Sequence, residues 1–183
     1  MNPLTLDDID DSISSKIYTQ NYSAKENIDG VKIITLHNHS GEEGDFCELI
    51  RLNENSALSE IPLFKLAQIN RTRLLPHTIK AWHLHFNQNE IWYISPYDHL
   101  LVGLWDVRKK SKTLSKTMRV ILGSSHSQLL FIPKGVAHGS SNISQKSVEL
   151  FYFVDQTFNL RNPDEKRIPW NILGVDFWLP KKD

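Results

Sequence analysis

The feature that most constrains the fold is a succession of short apolar segments with no long helical stretch between them. These segments are rich in β-branched and aromatic residues, which favour strands. They comprise residues 31–36, 46–52, 64–70, 79–86, 90–95, 100–106, 117–122, 128–132 and 148–155. Clusters of Gly, Pro, Asn and Ser separate them, as at 39–44, 123–127 and 139–147. Many short strands predict an all-β sandwich or barrel and argue against βαβ units.

The chain divides into an N-terminal arm and one domain. Its 183 residues suffice for a single domain with a proper core and are few for two. Residues 1–27 are polar and weakly periodic, which predicts an arm with a short helix over 7–17. Residues 28–183 are predicted to form the domain. Within it, residues 162–179 are expected to hold a short helix or turn before a last apolar piece at 175–179.

Charge and cysteine content restrict the partners and the compartment. The 21 Lys and Arg residues balance 21 Asp and Glu residues, so nothing indicates the phosphate attraction that drives nucleic-acid binding. The single cysteine, Cys47, cannot form an internal disulfide, which fits a reducing compartment. The N-terminus is acidic, and no segment approaches the apolar length that spans a bilayer. We expect a cytoplasmic protein without a nucleic-acid or membrane partner.

The densest chemical signal is a pair of motifs that bring histidines and a carboxylate together. On a strand, residues two apart share a face, so His83 and His85 project together. A turn at 87–89 then allows Glu90 to return beside them, and His138 follows in the second motif. Imidazoles and a carboxylate are ligands suited to Fe, Mn, Zn, Ni or Cu as a divalent ion. The sequence therefore predicts a site for one divalent metal ion at His83, His85, Glu90 and His138.

The spacing of these motifs resembles that of a known superfamily. The first reads His-x-His-x4-Glu, and the second, over residues 133–142, reads Pro-x-Gly-x2-His-x3-Asn. Both are similar to the two cupin motifs. The resemblance implies an all-β cupin, a double-stranded β-helix or jelly-roll barrel, with short helical segments at the termini. It leaves two alternatives, a bound metal or histidines that line the cavity without one, and it implies no organic cofactor.

A second resemblance covers residues 28–180. The matched segments are 44–48 with Arg-Gly-Phe-Phe-x-Glu, 68–72 with Gln-x-Asn-x-Ser, 80–83 with Arg-Gly-Leu-His, 132–139 with Ile-Pro-x-Gly-Phe-Ala-His-Gly and 168–171 with Ile-x-Trp-Asn-Asp. Together they resemble the dTDP-4-dehydrorhamnose 3,5-epimerase family, a cupin family without a required metal. Family members pair through the sheet and use the N-terminal segment across the interface, so the resemblance also implies a homodimer.

The family resemblance implies a role for each matched cavity residue. His83 is then the base that removes a proton next to the 4-keto group of the sugar, and Tyr152 is the acid on the opposite face. Phe158 matches an aromatic residue that stacks on the nucleotide base. The implied substrate-binding residues are Gln68, Asn70, Lys80, His138 and Phe158.

Three positions depart from the family pattern. The lysine that stabilises the enolate has no counterpart near residues 90–94. The phosphate-binding arginine is replaced by Glu43, and the aspartate that orients the base histidine falls at Ile172. Asp176 is a candidate replacement for that lost carboxylate.

The residues around the predicted base depart toward a metal-binding cupin. The family's His-Tyr-Gln is here His83-Leu84-His85, with Glu90 added. A divalent cation is an alternative means of polarising the keto oxygen. In that case His83 is a ligand and not a base, because a lone pair held by a metal cannot also take a proton.

The leading functional prediction is isomerisation or epimerisation of a keto-deoxysugar carried on a nucleotide, a small-molecule substrate. Two alternatives use the same residues. One is a metal-dependent cupin, such as an Fe(II) or Cu(II) dioxygenase that acts on a small acid or ketone. The other is a non-catalytic sugar-binding cupin.

Overall fold

Two five-stranded antiparallel sheets form most of the protein, for which the computed structural model describes residues 3–20 and 27–181. The strands in this part of the chain are β1 (Lys32–Thr35), β2 (Asn38–Gly41), β3 (Gly44–Cys47), β4 (Gln68–Leu74), β5 (Ile79–Leu84), β6 (Glu90–Ile94), β7 (His99–Asp106), β8 (Thr117–Gly123), β9 (Gln128–Ile132), β10 (Val136–Ser141), β11 (Val148–Val154) and β12 (Lys166–Arg167). The first sheet has the order β1-β9-β6-β11-β4, and the second has the order β12-β5-β10-β7-β8. Strands β2 and β3 form a separate hairpin. This jelly-roll arrangement confirms the predicted all-β cupin fold.

Alternation along the strands decides which side chains lie between the two sheets. On β11, Leu150 and Tyr152 join the inner cluster, whereas Phe151 and Phe153 pack outside around Phe64. The second sheet behaves in the same way, because Trp82 of β5 packs in an outer cluster that also contains buried Trp178. The residue after Trp82 therefore faces inward. The same strand periodicity that builds the core thus points polar side chains into the space between the sheets.

Two of the predicted turns are shorter in the structure, because strands extend into both segments. Residues 139–147 were expected to separate strands, but β10 runs through Ser141 and is buried along its whole length between β5 and β7. Burial between two strands outweighs the low strand propensity of its glycine and serines. Gly139 allows the close approach to β5, because a Cβ there would lie 2.4 Å from the Cβ of Ala81. Residues 39–44 likewise contain the ends of β2 and β3, which limits the turn between them to Glu42 and Glu43.

Several other boundaries also differ from the prediction. The segment at 46–52 is a strand only as far as Cys47, and the one at 64–70 begins at Gln68 and continues to Leu74. The predicted helix over 7–17 is a 3-10 turn at Leu6–Asp8 and a short α-helix, α1, at Asp11–Ser14. The short C-terminal helix is a 3-10 turn at Val175–Trp178, which lies on the last apolar piece and not before it. Residues 21–26 of the predicted arm lie outside the described residues.

Candidate active site

A cavity of about 610 Å³ opens between the two sheets. The segment 156–165 contributes part of its lining, and the two sheets and the turn at 85–88 supply the rest. All nine residues that the sequence predicts for catalysis, substrate binding or metal binding line this cavity. They are Gln68, Asn70, Lys80, His83, His85, Glu90, His138, Tyr152 and Phe158. The structure thus brings the predicted residues together, and their roles remain predictions.

His83 lies on β5, and its ring is held between a carboxylate and another imidazole. It is the register partner of His138 on β10, and the two rings stack with centroids 5.9 Å apart. Its Nδ1 is 3.0 Å from Oε1 of Glu165, and Nη1 of Arg167 is 2.9 Å from each ring nitrogen. Burial and the positive charges of His138 and Arg167 lower the pKa of His83 to about 4. At neutral pH His83 is therefore the neutral imidazole, the form that can accept a proton.

His85, Glu90 and His138 form a buried triad beside His83. Nε2 of His85 is 3.0 Å from Oε1 of Glu90, and Nε2 of His138 is 3.4 Å from Oε2. Burial disfavours the charged form of His85, but the hydrogen bond and negative charge of Glu90, together with Asp164, outweigh it and raise the pKa of His85. Burial would also raise the pKa of Glu90, but His138 and His85 hold it well below its usual range. The triad is thus an ionic cluster within the cavity.

The turn after His85 brings Glu90 within reach, as the sequence predicts. The Asp164 carboxylate accepts hydrogen bonds from the backbone N–H groups of Phe86, Asn87 and Gln88. Beyond this turn, the Gln88 side chain donates to Glu90 at 2.8 Å. Trp92 Nε1 donates to the same carboxylate at 2.6 Å. Each oxygen of the Glu90 carboxylate therefore accepts one of these hydrogen bonds, which fix its position.

Tyr152 faces the histidines from the first sheet. It pairs in register with Asn70 on β4 and with Trp92 on β6, and both neighbours also line the cavity. Burial, with the negative charges of Glu90 and Glu165, raises the pKa of Tyr152. The phenol therefore keeps its proton at neutral pH and is able to donate it.

The predicted substrate-binding residues form a polar strip that ends at an exposed aromatic ring. Gln68 donates to Asn70 at 2.6 Å and accepts from the backbone N–H of Phe158 at 3.0 Å. Lys80 Nζ donates to the Thr72 hydroxyl at 2.6 Å. Among the described lining residues, Lys80 is the one lysine or arginine. The Phe158 side chain is 60% exposed, which leaves its ring free to stack on a planar group.

The sequence analysis missed the residues that hold the histidines. Asp164, Glu165 and Arg167 belong to a short charged run, and such a run is usually a solvated loop. In the structure, this run leads into and forms β12, which pairs with β5. Asp176, the candidate replacement for the orienting carboxylate, lines a separate groove beside β8. The carboxylate at His83 is Glu165.

Two further predictions concerned the departures from the family pattern. Glu43 lies in the turn of the β2–β3 hairpin and is not among the described residues that line the cavity. The one cluster found with metal-binding geometry in residues 3–20 and 27–181 contains His85, Glu90 and His138, whose ligand atoms lie within 4.8 Å of one another. His83 is outside this cluster and is engaged by Glu165.

The jelly-roll barrel and its internal cavity of histidines, a carboxylate and a tyrosine define a cupin. Within that class, residues 25–183 match the family dTDP-4-dehydrorhamnose 3,5-epimerase. The chain belongs to this family, which confirms the resemblance predicted from the sequence.

Individual relatives agree with the family match. The spore coat polysaccharide biosynthesis protein SpsL of Bacillus subtilis is 40% identical over 150 residues, which cover 82% of this chain and 95% of SpsL. The crystal structure of dTDP-4-dehydrorhamnose 3,5-epimerase from Bacillus anthracis, with TDP and PPi bound, superposes with a TM-score of 0.71 at 20% identity. That match covers 86% of this chain and 90% of the other, and at this identity it shows the shared fold. The predicted function, a sugar-nucleotide epimerase, is confirmed at the level of the family.

Proposed function

We propose that the protein epimerises a nucleotide-linked 4-keto-6-deoxysugar, with His83 as the base and Tyr152 as the acid. The observation that carries the proposal is the placement of these two side chains on facing sheets of one cavity. A sugar ring between the sheets would meet the imidazole on one face and the phenol on the other. Inversion of a carbon centre requires this arrangement, because the proton must leave one face and return to the opposite one.

The reaction needs a neutral base and a protonated acid at the same pH. Neutral His83 takes the proton from a carbon next to the ketone, and the electrons of the C–H bond move into the carbonyl to form an enolate. Tyr152 then donates its proton to that carbon from the other face. The resulting imidazolium and phenolate return to their starting states by proton exchange with water. Base and acid each contribute about 10²- to 10⁴-fold in reactions of this kind.

The remaining cavity residues supply the contacts for the nucleotide. Lys80 is positioned to pair with a phosphate, since it is the one lysine or arginine among the described lining residues. Gln68 and Asn70 offer amide donors and acceptors beside it. Phe158 offers an exposed ring for stacking on the base. We assign His138 to both the substrate cavity and the triad.

Product formation from a dTDP-linked 4-keto-6-deoxysugar tests the assignment of base and acid. We expect His83→Asn and Tyr152→Phe each to lower the rate at least about 100-fold. His126→Asn and Tyr97→Phe are matched controls, because both residues are exposed and lie outside the cavity lining. Full activity in either cavity variant would contradict the assignment.

We also propose that the triad of His85, Glu90 and His138 holds one divalent metal ion of Fe, Mn, Zn, Ni or Cu. Nδ1 of His85 donates to the Asp164 carbonyl at 2.5 Å, and Nδ1 of His138 donates to the Val136 carbonyl at 3.0 Å. Metal-bound histidines commonly use the second nitrogen in this way. Both Nε2 atoms then face Glu90, so a proton or a cation must lie between each imidazole and the carboxylate. A bound divalent ion would supply positive charge near the keto oxygen, where the family's lysine is missing.

Elemental mass spectrometry of protein purified without an affinity tag tests the metal proposal. We expect near-stoichiometric metal in the wild type and in His126→Ala, and its loss in His85→Ala. Absence of metal from all three proteins would contradict the proposal. Family membership favours the epimerase over a dioxygenase, and retained activity would argue against a purely sugar-binding cupin.

We further propose a cytoplasmic homodimer with residues 1–27 as an arm and 28–183 as the domain. The family match begins at residue 25, which supports this division. Apolar side chains of the arm are between 49% and 78% exposed, namely Leu4, Leu6, Ile13, Ile17 and Tyr18. A partner copy would cover them. Light scattering should give the dimer mass, and Leu6→Glu with Ile13→Glu should lower it toward the monomer.

The cytoplasmic assignment rests on the single Cys47, which fits a reducing compartment. Within residues 3–20 and 27–181, no helix is both long and apolar enough to cross a membrane. Cell fractionation with immunodetection tests the assignment, and recovery in an extracellular or membrane fraction would contradict it.

A further inference from the structure

The short strand β12 holds the strand that carries the predicted base. Arg167 is the register partner of His83, and Lys166 is the partner of Leu84. The pairing places residues 164–167 against His83 on this strand and against His85 directly after it. The backbone carbonyl of Asp164 accepts from His85 Nδ1, and the side chain of the next residue, Glu165, meets His83. One segment therefore sets the orientation of both rings.

The contact between Glu165 and His83 selects one tautomer of the neutral imidazole. An ionised carboxylate only accepts hydrogen bonds, so the Nδ1 atom, 3.0 Å from Glu165 Oε1, must carry the hydrogen. The lone pair of the neutral ring is then on Nε2. If the Glu165 carboxylate is removed, Nδ1 loses the acceptor that favours this tautomer.

Arg167 keeps Glu165 charged and in place. Its Nη1 donates to Glu165 Oε1 at 2.9 Å, so the same oxygen serves both Arg167 and His83. Nη1 is also 2.9 Å from each of the two ring nitrogens of His83, so this contact by itself selects neither tautomer. Burial would raise the pKa of Glu165, but Arg167 and His83 hold it below its usual value.

We propose that Glu165 is the positioning residue of His83, which fixes Nδ1–H and presents Nε2 to the substrate. Glu165 would thus orient the base histidine, the role for which Asp176 was a candidate, from a different element of the fold. The catalytic part of this inference rests on the proposed epimerase function, whereas the effect on the tautomer does not. The two parts are therefore tested separately.

Nitrogen NMR of histidine-labelled protein at neutral pH tests the tautomer directly. The His83 signals are assigned by their loss in His83→Asn. We expect the wild type to carry its ring hydrogen on Nδ1 and Glu165→Ala to shift hydrogen to Nε2, with Glu165→Asp intermediate. The matched control is Glu149→Ala, which removes a similarly exposed glutamate that pairs with Arg71 on the outside of the cavity. An unchanged His83 tautomer in Glu165→Ala would overturn the proposal, whether or not the protein is an epimerase.

Kinetics of the same variants test the catalytic consequence. We expect Glu165→Ala to lower kcat by about 10- to 100-fold, with KM within about threefold of the wild type, because a misplaced base lowers the rate without removing a substrate contact. Glu165→Asp should recover part of kcat, and Glu149→Ala should leave both constants unchanged. A rise in KM at constant kcat would identify Glu165 as a substrate-binding residue and overturn the positioning role. A wild type without epimerase activity would instead refute the proposed function, and the tautomer experiment would still decide the role of Glu165.

Discussion

Replacing Asp106 with Asn should show how strongly the β7–β8 connection supports the site. The Asp106 side chain is fully buried at the end of β7. It accepts from Arg108 Nε and Nη2, each at 2.8 Å, and from the hydroxyls of Ser111 and Thr113. Arg108 also packs under Gly135, at the start of the segment that carries His138. Loss of the Asp106 charge thus leaves Arg108 uncompensated next to that segment.

The size of the effect follows from the burial of this ion pair. Breaking a buried pair by removing one charge costs about 3–5 kcal/mol of unfolding free energy, and the lower end applies here because the Arg108 side chain is 26% exposed. For a protein of this length, about 3 kcal/mol corresponds to a melting temperature lower by roughly 6–12 °C. The matched surface variant Glu149→Ala should change the unfolding free energy by only about 0–1 kcal/mol. Calorimetry at neutral pH measures both values, and a melting temperature of Asp106→Asn equal to that of the wild type would refute the reasoning.

The Asp106–Arg108 pair also predicts how the difference in unfolding free energy between the wild type and Asp106→Asn depends on pH. Burial would raise the pKa of Asp106, but hydrogen bonds from Arg108, Ser111 and Thr113 hold it well below its usual value of 3.8. The folded-state pKa is therefore depressed, so the stabilisation is complete above the unfolded-state pKa and is lost as pH falls through the folded-state pKa. The difference in unfolding free energy between the wild type and Asp106→Asn should stay constant down to about pH 5 and become smaller in stronger acid. A free-energy difference that becomes larger in acid would contradict this pH dependence.

Three further substitutions test other parts of the account. Gly139→Ala should lower the unfolding free energy by about 1–3 kcal/mol in denaturant titrations, because its Cβ would lie 2.4 Å from that of Ala81. Lys80→Met should raise KM for the dTDP-linked sugar at least about tenfold with little change in kcat, since a lost phosphate contact weakens ground state and transition state alike. Asp164→Ala should speed hydrogen exchange at the amides of residues 86–88, which lose their acceptor. Unchanged exchange there would show that the turn does not depend on this carboxylate.

Strand periodicity in the sequence predicts much of the site. The two-residue spacing placed His83 and His85 on one side, and the turn at 87–89 returned Glu90 beside them, as the structure has it. In the structure, the same periodicity separates Tyr152 from its aromatic neighbours. These predictions need only the alternation of side chains along a strand, which can be read directly from the sequence.

The missed parts depend on pairing between distant segments. Glu165 follows His83 by about 80 residues, and the two-residue strand β12 has no apolar pattern that would reveal it. Strand β10 was missed for a related reason, because burial between β5 and β7, and not its own composition, makes it a strand. Such tertiary effects outweigh local propensity.

Proton exchange with solvent tests most directly the claim that His83 and Tyr152 act on opposite faces of a keto sugar. The protein is incubated in deuterium oxide with a dTDP-linked 4-keto-6-deoxysugar, and proton NMR follows the carbons next to the ketone. The account predicts deuterium incorporation with inversion in the wild type, loss of incorporation in His83→Asn, and incorporation without inversion in Tyr152→Phe. Incorporation at the wild-type rate in His83→Asn, or no incorporation in the wild type, would contradict it.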